Sequence, residues 1–132
     1  MILVDTSVWI DFFADKPLIH VEKLVEFIYD DREIVTCGIV LTEVLQGIQS
    51  DKEFTKTKAL FTELLYLPMR QSTFLKSAEI YRKLRKNGVT IRKSLDCMIA
   101  SLVLENDIFL LDNDRDFDPI ENHFGIKRVS LG

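Results

Sequence analysis

The chain of 132 residues contains only two cysteines and no internal repeat, low-complexity tract or linker. Cys37 and Cys97 each lie in an apolar run without a CxxC spacing, which favours buried free thiols over a disulfide framework or a zinc site. The length is typical of one domain, and 47% of the residues are hydrophobic, enough for one substantial core. We therefore expect a single domain over residues 1–132.

Long hydrophobic runs are also missing. No apolar stretch approaches the roughly 20 uninterrupted residues that a membrane-spanning helix requires. The N-terminal residues Met1 to Asp5 lack the basic region and small-residue cleavage site of a secretory signal. We therefore expect no membrane association and a cytoplasmic location.

Positive charge is in deficit overall but is unevenly distributed. The net charge of −4 argues mildly against a protein that coats nucleic acid. The segment from Arg82 to Lys93 has six basic residues and no acid, whereas Glu105 to Glu121 has seven acids against Arg115 alone. A basic segment near an acidic cluster suits a site that cuts phosphodiesters, although a solvated helix face beside an acidic loop explains the charges equally well.

Hydrophobic periodicity predicts strands that alternate with helices. Short β-branched or apolar runs indicate strands at 2–4, 34–37, 65–68, 108–111 and 127–131. Helical spacing predicts helices at 8–14, 21–28, 39–48, 54–65, 72–86 and 95–105, with Thr6-Ser7 and Ser94 as candidate N-caps. This alternation is typical of an α/β fold with a mostly parallel central sheet, which binds ligands beyond the carboxyl ends of its strands.

Several acids do not fit this apolar pattern. Asp5, Asp112 and Asp114 follow predicted strands, while Glu43 and Asp96 interrupt apolar helical runs. Singly, each has an ordinary explanation, such as a helix cap, a lysine partner or a place in a first helical turn. Together they are explained in one step if they converge on a divalent cation, which suits a site made only of oxygen ligands. Zinc is disfavoured, because the set offers no histidine or cysteine ligand. His20 and His123 lie in sequence that suggests a surface helix and a turn.

The segment from Asp112 to Asp116 also opens like an EF-hand calcium loop. It then departs from that motif, because Phe117 stands where glycine is needed and His123 where a bidentate glutamate is needed. A strand rather than a helix precedes it. We therefore discount a calcium loop, and no GxSxG or GxxxxGK[ST] motif suggests another reaction class.

Four segments, in this order along the chain, resemble the acidic motifs of PIN-domain nucleases. They are Val4-Asp5-Thr6-Ser7-Val8-Trp9-Ile10, Thr42-Glu43-Val44-Leu45-Gln46-Gly47, Ser94-Leu95-Asp96-Cys97-Met98-Ile99-Ala100 and Leu111-Asp112-Asn113-Asp114-Arg115-Asp116-Phe117. The resemblance spans the chain and is closest to the VapC-type toxins of bacterial toxin-antitoxin pairs. It implies a three-layer α/β/α fold with a mostly parallel central sheet.

The resemblance also implies roles for individual residues. Asp5, Glu43, Asp96 and Asp114 correspond to the four family acids, as catalytic groups and ligands of Mg²⁺ or Mn²⁺, and Asp116 to an acid that often accompanies them. Asp112 stands where many relatives carry threonine or serine, so the choice of working acid among Asp112, Asp114 and Asp116 stays open. Supporting roles are expected for Thr6 and Ser7, beside the first acid, and for Asp112. Arg92 and Lys93 are expected to contact the RNA backbone, although they could equally be an exposed pair without a role.

The activity implied by the resemblance is metal-dependent hydrolysis of RNA phosphodiester bonds. The partners implied are an RNA substrate, a second copy of the chain, and a cognate antitoxin that offers an arginine or lysine to the acids. Two alternatives remain. One is a housekeeping PIN ribonuclease outside toxin-antitoxin systems, and the other is a non-catalytic interaction module whose acids are structural.

Overall fold

The computed structural model describes all of residues 1–132 and contains five strands and seven α-helices. The strands are β1 (Ile2–Val4), β2 (Ile34–Cys37), β3 (Leu65–Leu67), β4 (Phe109–Leu111) and β5 (Lys127–Arg128). The helices are α1 (Thr6–Phe13), α2 (Ile19–Tyr29), α3 (Gly38–Gln46), α4 (Asp51–Thr62), α5 (Gln71–Lys86), α6 (Ser94–Asn106) and α7 (Asp118–Phe124). A 3₁₀ turn, Arg115–Phe117, precedes α7.

The strands form one sheet in the order β3-β2-β1-β4-β5. All four pairings are parallel, so the expectation of a mostly parallel sheet is confirmed and extended to every strand. All residues of β1 and β2 are buried, which means that both faces of the sheet centre are covered. The strands therefore lie in the middle layer of a three-layer α/β/α arrangement.

The chain order fixes which helices cover which face. Strands β1, β2 and β3 progress toward one edge of the sheet, and the chain then returns across the sheet to β4 and β5. Because parallel crossovers are right-handed, α1 to α4 lie on one face and α5 to α7 on the other. The direction reverses between β1 and β4, and such a switch point is where ligands bind in open parallel sheets.

One core cluster of 28 buried residues joins the sheet to both helical layers. Its bulky members outside the sheet include Trp9 from α1, Leu84 from α5 and Phe117 from the 3₁₀ turn. Helix α6 is buried along most of its length, as its nearly uniform apolar character predicts. None of the helices combines the length and the apolar character needed to cross a membrane.

Several predicted boundaries and caps are wrong. The N-cap of α1 is Asp5 rather than Thr6 or Ser7, and Ser94 is the first residue of α6 rather than its cap. Helix α7 was not predicted, although Pro119 in its first turn and the left-handed Gly125 at its end are ordinary boundary signals. Strand β5 ends at Arg128 instead of continuing to Leu131.

The prediction of a surface position for His20 is also wrong. The ring is 3% exposed and lies between α1 and α2, where its Nε2 is 2.7 Å from Asp11 Oδ2. A polar ring can be buried there because the carboxylate supplies its hydrogen-bond partner. His20 therefore links two helices and has no contact with the acids at the sheet edge.

Candidate metal centre

The ends of β1 and β4 bring distant acids to one edge of the sheet. Val4 pairs with Leu111 in the register of these strands, and the Asp5 N–H donates to the Leu111 carbonyl at 2.9 Å. Asp5 directly follows β1 and Asp112 directly follows β4. Both acids therefore lie at the carboxyl edge of the sheet, at the switch point between β1 and β4. The loop after Asp112 carries Asp114 and Asp116 along the same edge.

Helix α6 presents Asp96 to this loop. Asp96 lies in the first turn of α6 and is 5% exposed. One oxygen from each of Asp96, Asp114 and Asp116 lies within 4.8 Å of the other two, so these acids form a compact group that can hold a metal ion. Asp5 and Glu43 lie outside this group.

The surroundings of Asp96 fit a bound cation. Its Oδ2 is buried and accepts no hydrogen bond, which is a costly arrangement for a carboxylate unless a ligand completes it. The donor set consists of carboxylate oxygens without histidine or cysteine, which suits a hard divalent cation. The residues present therefore fit a metal of this kind.

Burial and neighbouring charge shift the protonation of two of these acids. Burial raises the pKa of Asp96 to about 7, with Lys93 opposing the shift and Asp114, Asp5 and Asp116 reinforcing it. Burial also raises the pKa of Asp5, although hydrogen bonds from Ser7 act against the rise. Both pKa shifts come mainly from burial, and the neighbouring acids add to them.

Ser7 holds Asp5 in place and links it to the acidic loop through hydrogen bonds. Ser7 Oγ donates to Asp5 Oδ2 at 2.7 Å and the Ser7 N–H at 3.3 Å, so Asp5 caps α1 as well as facing the other acids. Ser7 Oγ also accepts from the Asn113 N–H at 3.2 Å, which ties this cap to the acidic loop. Ser7 thus contacts the first acid, as expected.

The Thr6 side chain makes no hydrogen bond to Asp5, contrary to expectation. Its Oγ1 donates instead to Glu43 Oε1 at 2.8 Å, across the junction of α1 and α3. Glu43 is half-buried and has this hydroxyl rather than a lysine as its partner. The structure therefore places Glu43 beside the residue that follows Asp5, at the margin of the acidic group.

Arg92 and Lys93, expected to contact RNA, are paired with acids of the site. Arg92 Nη2 lies 3.1 and 3.2 Å from the two oxygens of Asp116, and Lys93 Nζ lies 3.1 Å from Asp114 Oδ2 and 4.0 Å from Asp96 Oδ1. Burial acts to raise the pKa of Asp114, but hydrogen bonds from the Asp116 N–H and Lys93 hold it below its usual value. Both cations are largely exposed, so they remain free to exchange partners.

Asp112 differs from Asp114 and Asp116 because the cation that pairs with it, Arg128, is largely buried, whereas Arg92 and Lys93 are largely exposed. Arg128 donates from Nε to Asp112 Oδ2 at 2.9 Å and from Nη2 to Oδ1 at 2.7 Å. Among the three acids left open by the sequence, Asp114 and Asp116 join the compact group and Asp112 does not. Arg128 was not predicted from the sequence, where its only signal was that an acid directly after a buried strand needs a cationic partner.

These features define a class of protein: a parallel α/β domain fold whose strand ends and one helix gather carboxylates able to bind a divalent cation. A sequence model of the PIN domain family matches residues 2–122. Ribonuclease VapC11 of Mycobacterium tuberculosis is 31% identical over 133 residues, with 99% of each chain covered.

Solved structures agree with this fold. VapBC2 from Rickettsia felis, bound to a DNA fragment from its promoter, superposes with a TM-score of 0.76 at 18% identity and 98% coverage of each chain. VapBC-1 from nontypeable Haemophilus influenzae gives a TM-score of 0.75 at 22% identity, covering 99% of this chain and 98% of that one. The chain belongs to the PIN domain family, and its sequence relatives within that family are VapC ribonucleases.

Proposed function

We propose that this chain is a metal-dependent endoribonuclease that acts as the toxin of a toxin-antitoxin pair. The observation that carries the proposal is the buried Asp96 carboxylate, whose Oδ2 has no partner and which lies in a compact group with Asp114 and Asp116. The relatives named as VapC ribonucleases support RNA as the substrate. We further propose that residues 1–132 act as one domain in the cytoplasm.

The proposed cofactor is Mg²⁺ or Mn²⁺, held by Asp96, Asp114 and Asp116. Asp5 and Glu43 lie at the margin of this group and complete the negative potential that attracts the cation. A divalent ion at such a site lowers the pKa of a water toward neutrality and neutralises charge that develops on the phosphate. The four acids Asp5, Glu43, Asp96 and Asp114 thus form the proposed catalytic group, with Asp116 as a further ligand.

The proposed role of Arg92 and Lys93 is to bind the RNA backbone. In the structure they neutralise Asp116 and Asp114, the acids that a cation would compensate. When a cation takes over that compensation, the two exposed side chains can turn to the phosphates of a bound strand. Their positive charge would hold the substrate beside the acids without taking part in proton transfer.

Two apolar surfaces support the proposed protein partners. Ile10, Phe13, Val44 and Ile48 line a groove of about 390 Å³ that reaches Glu43, a place where an antitoxin segment can lie with a basic residue near the acids. Tyr66 and Phe74 are exposed and line a second groove, which suits the proposed homodimer. The likeness to the VapBC structures supports an antitoxin as partner.

The experiment compares wild-type protein with Asp96→Asn and with Asp107→Asn, both freed of any co-purified partner. Asp107 is an exposed aspartate remote from the acidic group, so its variant is the matched control. Mixed RNA is incubated with each protein in Mg²⁺, in Mn²⁺ and in chelator, and circular dichroism verifies folding. We expect cleavage by wild type and Asp107→Asn only when metal is present, and at least a hundredfold loss in Asp96→Asn.

Equal cleavage by all three proteins, or cleavage that persists in chelator, would overturn the assignment of the carboxylate-metal site. Re-adding the antitoxin at equimolar concentration should abolish cleavage by wild type. Undiminished cleavage in its presence would exclude the toxin role while leaving the nuclease intact.

A further inference from the structure

Arg128 connects three separate parts of the chain at the acidic edge. It lies in β5, the edge strand beside β4, and its guanidinium reaches back over the loop that follows β4. Nε and Nη2 donate to the two oxygens of Asp112 at 2.9 and 2.7 Å, in the parallel two-bond geometry that only arginine provides. The Asp112 carboxylate is thereby fixed in orientation as well as neutralised.

The remaining guanidinium contacts extend this connection to α7. Nη1 donates to Asp118 Oδ1 at 2.6 Å and to Glu121 Oε1 at 3.3 Å, while Nη2 also reaches the Asp114 carbonyl at 3.4 Å. The Asp112 hydrogen bonds and charges of Asp112 and Asp118 raise the pKa of Arg128 further above its already high value, so it stays protonated. One permanently charged side chain thus joins the end of β4, the acidic loop and the start of α7.

A chain of hydrogen bonds runs from Asp112 to the acids of the metal group. Asp112 Oδ1 accepts from the Asp114 N–H at 3.1 Å, and Asp114 Oδ1 accepts from the Asp116 N–H at 2.9 Å. The backbone direction at Asp114 and Asp116 is therefore set by an acid whose own orientation is set by Arg128. Both oxygens of Asp112 already accept hydrogen bonds, two at Oδ1 and one at Oδ2, so Asp112 is a poorer ligand for a cation than Asp96, whose Oδ2 accepts none.

We propose that Arg128 and Asp112 form a positioning pair that holds Asp114 and Asp116 in the arrangement required to bind the divalent cation. The proposal rests on the proposed function in that it takes this acidic group as the metal site. Arg128 is a positioning residue that acts through Asp112, and neither residue touches the cation or the RNA.

If Arg128 acts only through its charge, its loss should change the affinity for the cation in one direction, and if it acts by positioning the acids, in the opposite direction. Arg128→Met removes a positive charge and uncovers the Asp112 carboxylate, so simple electrostatic attraction predicts tighter binding of a cation. Loss of positioning predicts weaker binding, because the ligating carboxylates lose their fixed arrangement. The direction in which the cation affinity changes therefore distinguishes positioning from simple electrostatic attraction.

The experiment measures Mn²⁺ affinity by calorimetry and by electron paramagnetic resonance of the free ion, at pH 8. The variants are Arg128→Met and Arg128→Lys, and the matched control is Lys127→Met. Lys127 lies in the same strand and pairs with the exposed Asp107, so this control removes a positive charge away from the acidic group. Removal of residues that orient metal ligands typically weakens metal binding by about 10–100-fold. We expect a loss of this size in Arg128→Met, a smaller loss in Arg128→Lys, and none in Lys127→Met.

A kinetic measurement separates positioning from contact with RNA. With saturating Mn²⁺, we expect Arg128→Lys to recover most of the wild-type kcat with an unchanged KM for RNA. Arg128→Lys retains the charge and guards against a failure of Arg128→Met to fold.

Unchanged or tighter Mn²⁺ binding in any folded Arg128 variant would overturn the proposal. If wild type binds Mn²⁺ but cleaves no RNA, the nuclease assignment fails and the positioning pair stands. If wild type binds no Mn²⁺, both the metal-dependent nuclease assignment and the positioning pair are wrong.

Discussion

Asp96 and Asp112 are both aspartates, are 5% and 6% exposed, and border the same acidic loop, yet their carboxylates differ in their hydrogen-bond partners. Both oxygens of Asp112 accept hydrogen bonds from Arg128. Asp96 has one oxygen without a partner, and the cation nearest to its other oxygen, Lys93 Nζ, is 4.0 Å away. The Asp112 environment is complete within the chain, and the Asp96 environment is not.

This comparison shows that burial alone does not mark a functional acid. A buried carboxylate must be compensated, and the source of compensation determines its role. Asp112 is compensated by an arginine and so organises the loop. Asp96 is left for a cation from outside, which is why it is the stronger candidate for a metal ligand.

The largest expected difference concerns stability. Asp112→Asn should lower the free energy of unfolding by about 2–3 kcal/mol, because the Arg128 guanidinium then faces an amide instead of a buried carboxylate. Asp107→Asn breaks only the exposed pair with Lys127 and should cost less than about 0.5 kcal/mol. Urea unfolding at pH 8 in chelator measures both, and equal losses would mean that the Asp112 pair is no stronger than a surface pair.

The opposite change is expected at Asp96. Its pKa is about 7 in the folded chain, against an ordinary value of 3.8, so the folded state binds the carboxyl proton more tightly than the unfolded state does. Ionisation of Asp96 therefore destabilises the metal-free fold as the pH rises from about 4 to 7. Asp96→Asn does not titrate, and should therefore be more stable than wild type by about 1–2 kcal/mol at pH 8 and by nothing at pH 4. Urea unfolding across this range tests the prediction, which a pH-independent difference would contradict.

The smallest expected effect is the pH dependence of metal binding. Because Asp96 must lose its proton to bind a cation, Mn²⁺ affinity should fall about tenfold for each pH unit below 7 and level off above it. Asp112→Asn should bind more weakly but keep the same slope, since Asp112 does not supply the proton. Calorimetry between pH 5.5 and 8 measures both, and a flat wild-type profile would remove Asp96 from the ligand set.

Much of the fold could be predicted from the sequence because its signals are local. The β-branched run at Ile34–Cys37 and the nearly all-apolar α6 indicate a strand and a buried helix through composition alone. Helix α7 was not predicted because it has only 7 residues and follows the acidic segment closely, so its apolar periodicity is weak. Cap positions moved by a residue or two because Asp5, Thr6 and Ser7 are all competent N-caps.

The sequence by itself determined that acids would meet at the carboxyl edge of a parallel sheet, since these acids directly follow predicted strands and parallel strands end at the same edge. Only the tertiary structure decided which acids are free and which are paired. Arg128 is 16 residues from Asp112 and Glu43 is 37 residues from Thr6, so no local pattern links them. Pairing of charges depends on packing between distant elements, and that packing left Asp96 Oδ2 without a partner while giving Asp112 an arginine.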